Sequence, residues 1–189
     1  LNSYSLFNID YEGDYNVYLN DPRNIKLGKK LITNKKILIE KERLKEINET
    51  EYHEILINHT TPYSPFDILE NKSLLLENNF DNLNAIDWDK GCYVGQEITA
   101  RMKYRGLLKK KLYALKIKSG DVLEGDELIV DNKKIGTIVS KANSNIFAAL
   151  NINFVNEIKN KNQNLVINDS LSFDFLNWEF FSIKTYWNY

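Results

Sequence analysis

The single cysteine of the chain, Cys92, lies in the run Lys90-Gly91-Cys92-Tyr93-Val94-Gly95-Gln96-Glu97. A thiol is a nucleophile or metal ligand only as its thiolate, which nearby positive charge and a helix N-terminus favour. Lys90 supplies the charge. From Gln96 onward, good helix formers place Glu97, Arg101 and Arg105 at i, i+4 and i+8, on one helical face, with Glu97 in reach of Arg101. Gly91 and Gly95 permit a sharp turn and close approach of a ligand. An activated, partner-binding thiol is one reading of this pattern. The other is a small apolar filler in a tight turn, where free cysteines commonly sit.

Further along, residues 101–111 hold Arg101, Lys103, Arg105, Lys109, Lys110 and Lys111 with no acid among them. Two readings stand: a patch for an anionic tail or RNA backbone, with Tyr104 among the charges, or a solvated face. Metal chemistry has little to work with. His53 and His59 are six residues apart, which suits neither helical pairing of ligands nor finger spacings, so both are expected at the surface or core edge and no metal site is expected. No phosphate-binding glycine motif occurs.

Composition bounds the rest. At 189 residues, 43% hydrophobic and 27% charged, the chain can bury a sizeable core. A net charge of −1 gives no global attraction to nucleic acid or membrane. No apolar run approaches the roughly 18 residues of a membrane span, and no basic-then-apolar leader opens the chain. A lone cysteine fits a reducing compartment, and a cytoplasmic location is expected. Leu1 in place of a start methionine suggests a piece of a longer product. Only four of the 25 basic residues are arginine (Arg23, Arg43, Arg101, Arg105), so each is a candidate for a task needing a planar, bidentate donor.

The elements that must position these residues differ in texture on either side of Gly106. Residues 3–20 read as two strands about a turn at Glu12-Gly13-Asp14, and Pro22 and Gly28 bracket a loop. Spacing of Ile37, Leu44, Ile47, Ile55 and Leu56 predicts a helix over 35–58, ended at Thr61-Pro62. A polar connector leads to the cysteine run. After residue 106, short alternating runs separated by Gly, Asn and Asp turns predict a small antiparallel barrel. The domain boundary is placed there: 1–106 and 107–189.

The run "KGCYVGQEITARMKYRG" resembles the signature of the YgfZ family of folate-binding proteins, similar in fold to the aminomethyltransferase (T-protein) of the glycine cleavage system. Lys90, Gly91, Cys92, Tyr93, Gly95, Gln96 and Glu97 all match. Asp21-Pro22-Arg23 with Leu27-Gly28 looks like the family's D-P-R…L-G element. Glu77, Asn79 and Asp81 match its acidic approach to the cysteine motif. Ile135 to Ser140 is similar to a hairpin of its C-terminal barrel. Where the family has G-I-P, this chain has Thr60-Thr61-Pro62, and a domain-sized upstream segment of the family is missing.

The resemblance implies an α+β fold: a truncated aminomethyltransferase-like folate-binding α/β domain over 1–106, followed by the small antiparallel β-barrel. It implies a tetrahydrofolate-type cofactor in a central cavity and a role in iron–sulfur protein assembly or maintenance, and through it in tRNA modification such as methylthiolation. Partners would be iron–sulfur client or assembly proteins. Cys92, with Lys90, would carry the activity. Glu77 would read the donor-rich pteridine edge, Arg101 and Arg105 would face the glutamate tail, and Tyr52, Tyr93, Gln96 and Glu97 would complete the contacts. A tetrahydrofolate-dependent aminomethyltransferase on the same fold is the alternative.

Overall fold

A computed structural model of the chain describes residues 4–8, 17–33, 47–91, 94–161, 164–168 and 170–177. The first strands form a three-stranded sheet. Strand β1 (Tyr4–Asn8) and strand β2 (Val17–Asn20) both occur where alternation placed them, but they are not neighbours. Strand β3 (Lys29–Thr33) lies between them, parallel to β1 with Tyr4 opposite Lys29, and antiparallel to β2 with Asn20 opposite Lys29.

The helix expected over 35–58 is shorter. Helix α1 spans Glu49–Asn58, and residues 34–46 lie outside the described residues. Asn48 sets its start through a capping box: the Asn48 side chain accepts from the Glu51 amide at 2.8 Å, and Glu51 returns the bond to the Asn48 amide at 3.0 Å. At the other end Thr60 takes a left-handed φ of 52° while the Thr61 amide reaches back to the Leu56 carbonyl at 2.9 Å. A second helix, α2, spans Gln96–Tyr104.

Six strands then form one antiparallel sheet that curls into a nearly closed barrel: β4 (Lys110–Ser119), β5 (Glu127–Val130), β6 (Lys133–Ala142), β7 (Asn145–Asn151), β8 (Leu165–Asn168) and β9 (Leu171–Phe175), in the order β5-β6-β7-β4-β9-β8. The segment expected to be a hairpin at Ile135–Ser140 is instead the middle of β6, and the turns fall at Asp131-Asn132 and Asn143-Ser144. "NINFV", read as part of a strand run, opens helix α3 (Ile152–Asn160), capped by Asn151, which accepts from the amides of Asn153 and Phe154. Ile152, Val155 and Ile158 recur every three residues there, a helical spacing hidden inside the alternating texture.

Strand alternation explains why β4 and β7 are buried on both faces. Tyr113, Leu115, Ile146, Ala148 and Leu150 point into the barrel with Leu128, Ile138, Leu165 and Phe173. Leu112, Ala114 and Phe147 point the other way, onto Ile57 of α1. In β6 the register shifts between Ile138 and Ser140, so Ile138 faces the barrel interior and Ala142 the α1 side. The barrel therefore has an inner core and an outer one, and α1 covers the outer one.

Candidate functional site

The Asp21-Pro22-Arg23 element folds as a self-locked clasp. Asp21 is buried, and its carboxylate accepts from the Arg23 amide at 3.0 Å, from Nε at 3.0 Å and from Nη2 at 2.7 Å. This is the bidentate geometry only arginine offers. The Asp21 amide closes the loop on the Gly28 carbonyl at 2.9 Å. Asn24 donates to the carbonyl of His59 at 3.1 Å and so ties the clasp to the end of α1. Tyr52 belongs to this corner as well, since its side chain hydrogen bonds Arg23 and its ring meets Tyr63 edge-on at 5.9 Å. A cleft of about 510 Å³ opens beside the clasp, lined by Arg23, Asn24, Lys26, His59, Asn82 and Asn84. Burial, and secondarily the charge of Lys26, hold the His59 imidazole below its ordinary pKa.

The acidic approach to the cysteine motif is bound to β4. The Leu112 amide donates to the Glu77 carbonyl at 2.7 Å, and Asn79, at a left-handed φ of 63°, donates its Nδ2 to the Leu112 carbonyl at 2.7 Å. Glu77 is 18% exposed in its side chain, and its Oε2 stands 3.3 Å from Lys110 Nζ. Asp81 meets Lys111 at 3.3 Å. Alternate residues of one segment thus face consecutive residues of one strand.

The motif helix follows. Gly95 precedes it at φ 88°, a left-handed value that favours glycine. Thr99 and Met102 are the buried positions of α2, while Val94, Ile98, Arg101 and Arg105 stand exposed. Glu97 pairs with Arg101, the i, i+4 contact expected from spacing. Lys103 lies 3.5 Å over the Trp88 ring, a cation–π contact. Cys92 and Tyr93 lie outside the described residues, and Lys90 and Gln96 flank them, exposed and half-buried respectively.

These contacts decide the basic run. Arg101 goes to Glu97, Lys103 to Trp88, Lys110 to Glu77 and Lys111 to Asp81, leaving Arg105 and Lys109 of the six without a described partner. Acids distant in sequence neutralise a stretch that holds none itself. Three of the six cations, Arg101, Lys110 and Lys111, face a carboxylate, so an RNA-backbone patch would keep half of its charge uncompensated.

Sequence reasoning missed a buried polar cluster. His53, Asp67 and Ser140 are 5%, 2% and 0% exposed. His53 Nε2 lies 2.9 Å from Asp67 Oδ1, Ser140 Oγ donates to the same oxygen, and the Tyr63 amide donates to Oδ2 at 2.7 Å. A carboxylate only accepts, so Nε2 carries the proton. His53 is therefore no surface residue; burial against Asp67 and stacking on Phe66 at 5.2 Å take it inside. The three residue types are those of a hydrolase triad, but the order is not. A nucleophilic serine must bond to the histidine, whereas Ser140 bonds to the aspartate and is sealed from solvent. The cluster ties α1 and the 63–67 turn to β6.

Of the expected cofactor contacts, Tyr52 joins the Arg23 clasp, Glu77 joins β4, and Glu97 and Arg101 pair with each other. None of Tyr52, Glu77, Gln96, Glu97, Arg101 and Arg105 lines the cleft beside the clasp.

No family model matches the chain. It is similar to the iron-sulfur cluster assembly factor IBA57 homolog, mitochondrial, of Dictyostelium discoideum, with 35% identity over 121 residues, 60% of this chain and 30% of that protein. It is also similar to the mitochondrial IBA57 proteins of Mus musculus (31% over 101 residues; 52% of this chain, 28% of that one) and Homo sapiens (30% over 102 residues; 53% and 28%). The matched stretch is thus less than a third of each relative's length. All three names carry the iron–sulfur role that the motif resemblance implied. They also overturn the cytoplasmic expectation, because each of these relatives is mitochondrial. A lone cysteine marks only the want of an oxidising compartment, which does not tell one reducing compartment from another.

Proposed function

We propose that this chain acts in iron–sulfur cluster assembly in the mitochondrion, with Cys92 as its working thiol. The observation that carries the reading is the similarity to assembly factors of that name. The motif's setting supports it: Gly95 turns the chain into α2, whose outward face carries Arg101 and Arg105. In the sequence Cys92 follows Lys90 by two residues and precedes Gly95 by three, a neighbourhood of the kind that favours a thiolate. Partners are iron–sulfur client or assembly proteins, and cluster-dependent tRNA methylthiolation is a downstream beneficiary.

The test is replacement in cells depleted of their own copy. Cys92→Ser protein should accumulate to normal levels yet fail to restore the activity of a mitochondrial iron–sulfur enzyme. Full restoration by that variant would make the thiol a structural filler and remove the reading.

A tetrahydrofolate-type ligand is the finer part of the proposal and stems from the motif resemblance. Glu77 keeps its Oε1 without a described partner, so it retains an acceptor for a donor-rich heterocycle edge. When bound, a tetrahydrofolate would supply one-carbon carrier chemistry. The chain's part is to present the Glu77 carboxylate, held in place by Lys110. Calorimetry of the full-length protein should show heat of binding with tetrahydrofolate that falls in Glu77→Gln. An absence of heat removes the folate part and leaves the role of Cys92 standing.

A further inference from the structure

The cleft beside the Asp21–Arg23 clasp is lined by none of the described residues expected to hold a folate, nor by Lys90 of the cysteine motif. Its volume of about 510 Å³ falls within the range of small-molecule sites. Three charged side chains line it: Asp21, Arg23 and Lys26. Asp21 and Arg23 compensate each other through their paired contacts. Lys26 is exposed, and its ammonium has neither a hydrogen bond nor an ion pair among the described residues. Its charge is the one left over in the lining.

His59 adds no second charge. Burial and the neighbouring Lys26 lower its pKa from 6.5, so the imidazole is neutral at pH 7. Its Nδ1 is buried with no hydrogen-bond partner, and such orphans are rare in folded proteins. Asn20, Asn82 and Asn84 bring carboxamides to the same wall, a group that both donates and accepts. The amides of Asn24 and Asn177 are committed to the fold, through the His59 and Asn58 carbonyls.

We propose that this cleft binds a small organic monocarboxylate with a hydroxyl-rich body, the chemistry of a sugar acid. Lys26 holds the carboxylate, and the carboxamides of Asn20, Asn82 and Asn84 meet hydroxyls, which also donate and accept. One uncompensated cation matches one negative charge. A phosphate monoester carries close to two charges at pH 7, and the lining has no second uncompensated cation to meet it. An amine would face Lys26 as a like charge. The site stands apart from the tetrahydrofolate proposal and from Cys92, and it holds or fails without them.

The test is a titration of the isotope-labelled full chain, followed by amide NMR, with four probes of one ring: glucuronate, glucose, glucosamine and glucose 6-phosphate. Glucuronate should bind with a Kd of about 1 mM, about tenfold more tightly than glucose, a gap of about 1.4 kcal/mol. Lys26→Gln should erase that gap and leave glucose binding unchanged. Asn82→Ala should weaken glucuronate and glucose by similar factors, and circular dichroism checks that both variants fold. A glucuronate Kd weaker than about 10 mM would overturn the proposal. So would glucosamine or glucose 6-phosphate binding as tightly as glucuronate, or a preference for glucuronate that survives Lys26→Gln.

Discussion

Asp67→Ala should cost this protein about 2–6 kcal/mol of stability, the sum for two sealed donors left unpaired at about 1–3 kcal/mol each. The Asp67 carboxylate accepts from His53 Nε2 at 2.9 Å, from the Tyr63 amide at 2.7 Å and from Ser140 Oγ. Alanine strands all three donors. The Tyr63 amide is only part-buried and can turn to water, but His53 and Ser140 are sealed, and each stranded buried donor costs about 1–3 kcal/mol. Asp67→Asn keeps one carbonyl acceptor but aims an amide at a donor, so an intermediate loss of about 2 kcal/mol is expected. Ser140→Ala removes a donor without stranding one and should cost about 1 kcal/mol. Urea unfolding followed by circular dichroism reads all three as midpoint shifts at constant slope. Because Asp67 joins α1 to β6, hydrogen exchange of the α1 amides should quicken in the alanine variant. A loss below about 1 kcal/mol for Asp67→Ala would refute the reasoning, since two sealed donors cannot go unpaired at so small a cost.

Other perturbations test separate parts of the account. Thr60, a β-branched residue, holds φ 52° with its buried Oγ1 unpartnered. Thr60→Gly should therefore raise the thermal midpoint, by about 1 kcal/mol of added stability once the lost methyl burial is set against relieved strain. At Gly136 an added Cβ would meet the Ala149 carbonyl oxygen and Leu150 Cδ2 at 2.5 Å each, where β6 crosses close to β7. Gly136→Ala should lower the midpoint by about 1–3 kcal/mol of overpacking, and a neutral outcome would contradict that approach. Asn79→Ala loses both the bond to the Leu112 carbonyl and a side chain tolerant of φ 63°, so differential scanning calorimetry should show a loss of about 2 kcal/mol. Finally, burial and Lys26 lower the His59 pKa on folding. The unfolded chain then binds the extra proton first, so stability is complete above the ordinary imidazole value of 6.5 and falls as pH drops below it. His59→Gln should flatten that part of the pH–stability curve.

Val94 and Ile98 lie on the same outward stripe as Arg101 and Arg105, while Thr99 and Met102 anchor the helix from behind. Lys103 and Tyr104 also meet the Trp88 ring, and the stripe from Val94 to Arg105 is left facing outward.

Local sequence determined what neighbours in the chain can decide among themselves. Alternation between residues 110 and 175 marks the strands, helix formers after Gly95 mark α2, and the Asp21-Pro22-Arg23 spacing lets one side chain clamp the next but one. Those features rest on period, propensity and short-range hydrogen bonding, which a run of adjacent residues carries whole. The tertiary structure alone decided pairings across distance. It set β3 between two strands that precede it and brought Ser140 to Asp67 across 73 residues. It also gave the lysines of an all-basic run to Glu77 and Asp81. A charge or a strand edge shows in the sequence that it needs a partner, but which partner it meets depends on how the apolar faces of the whole chain close on one another.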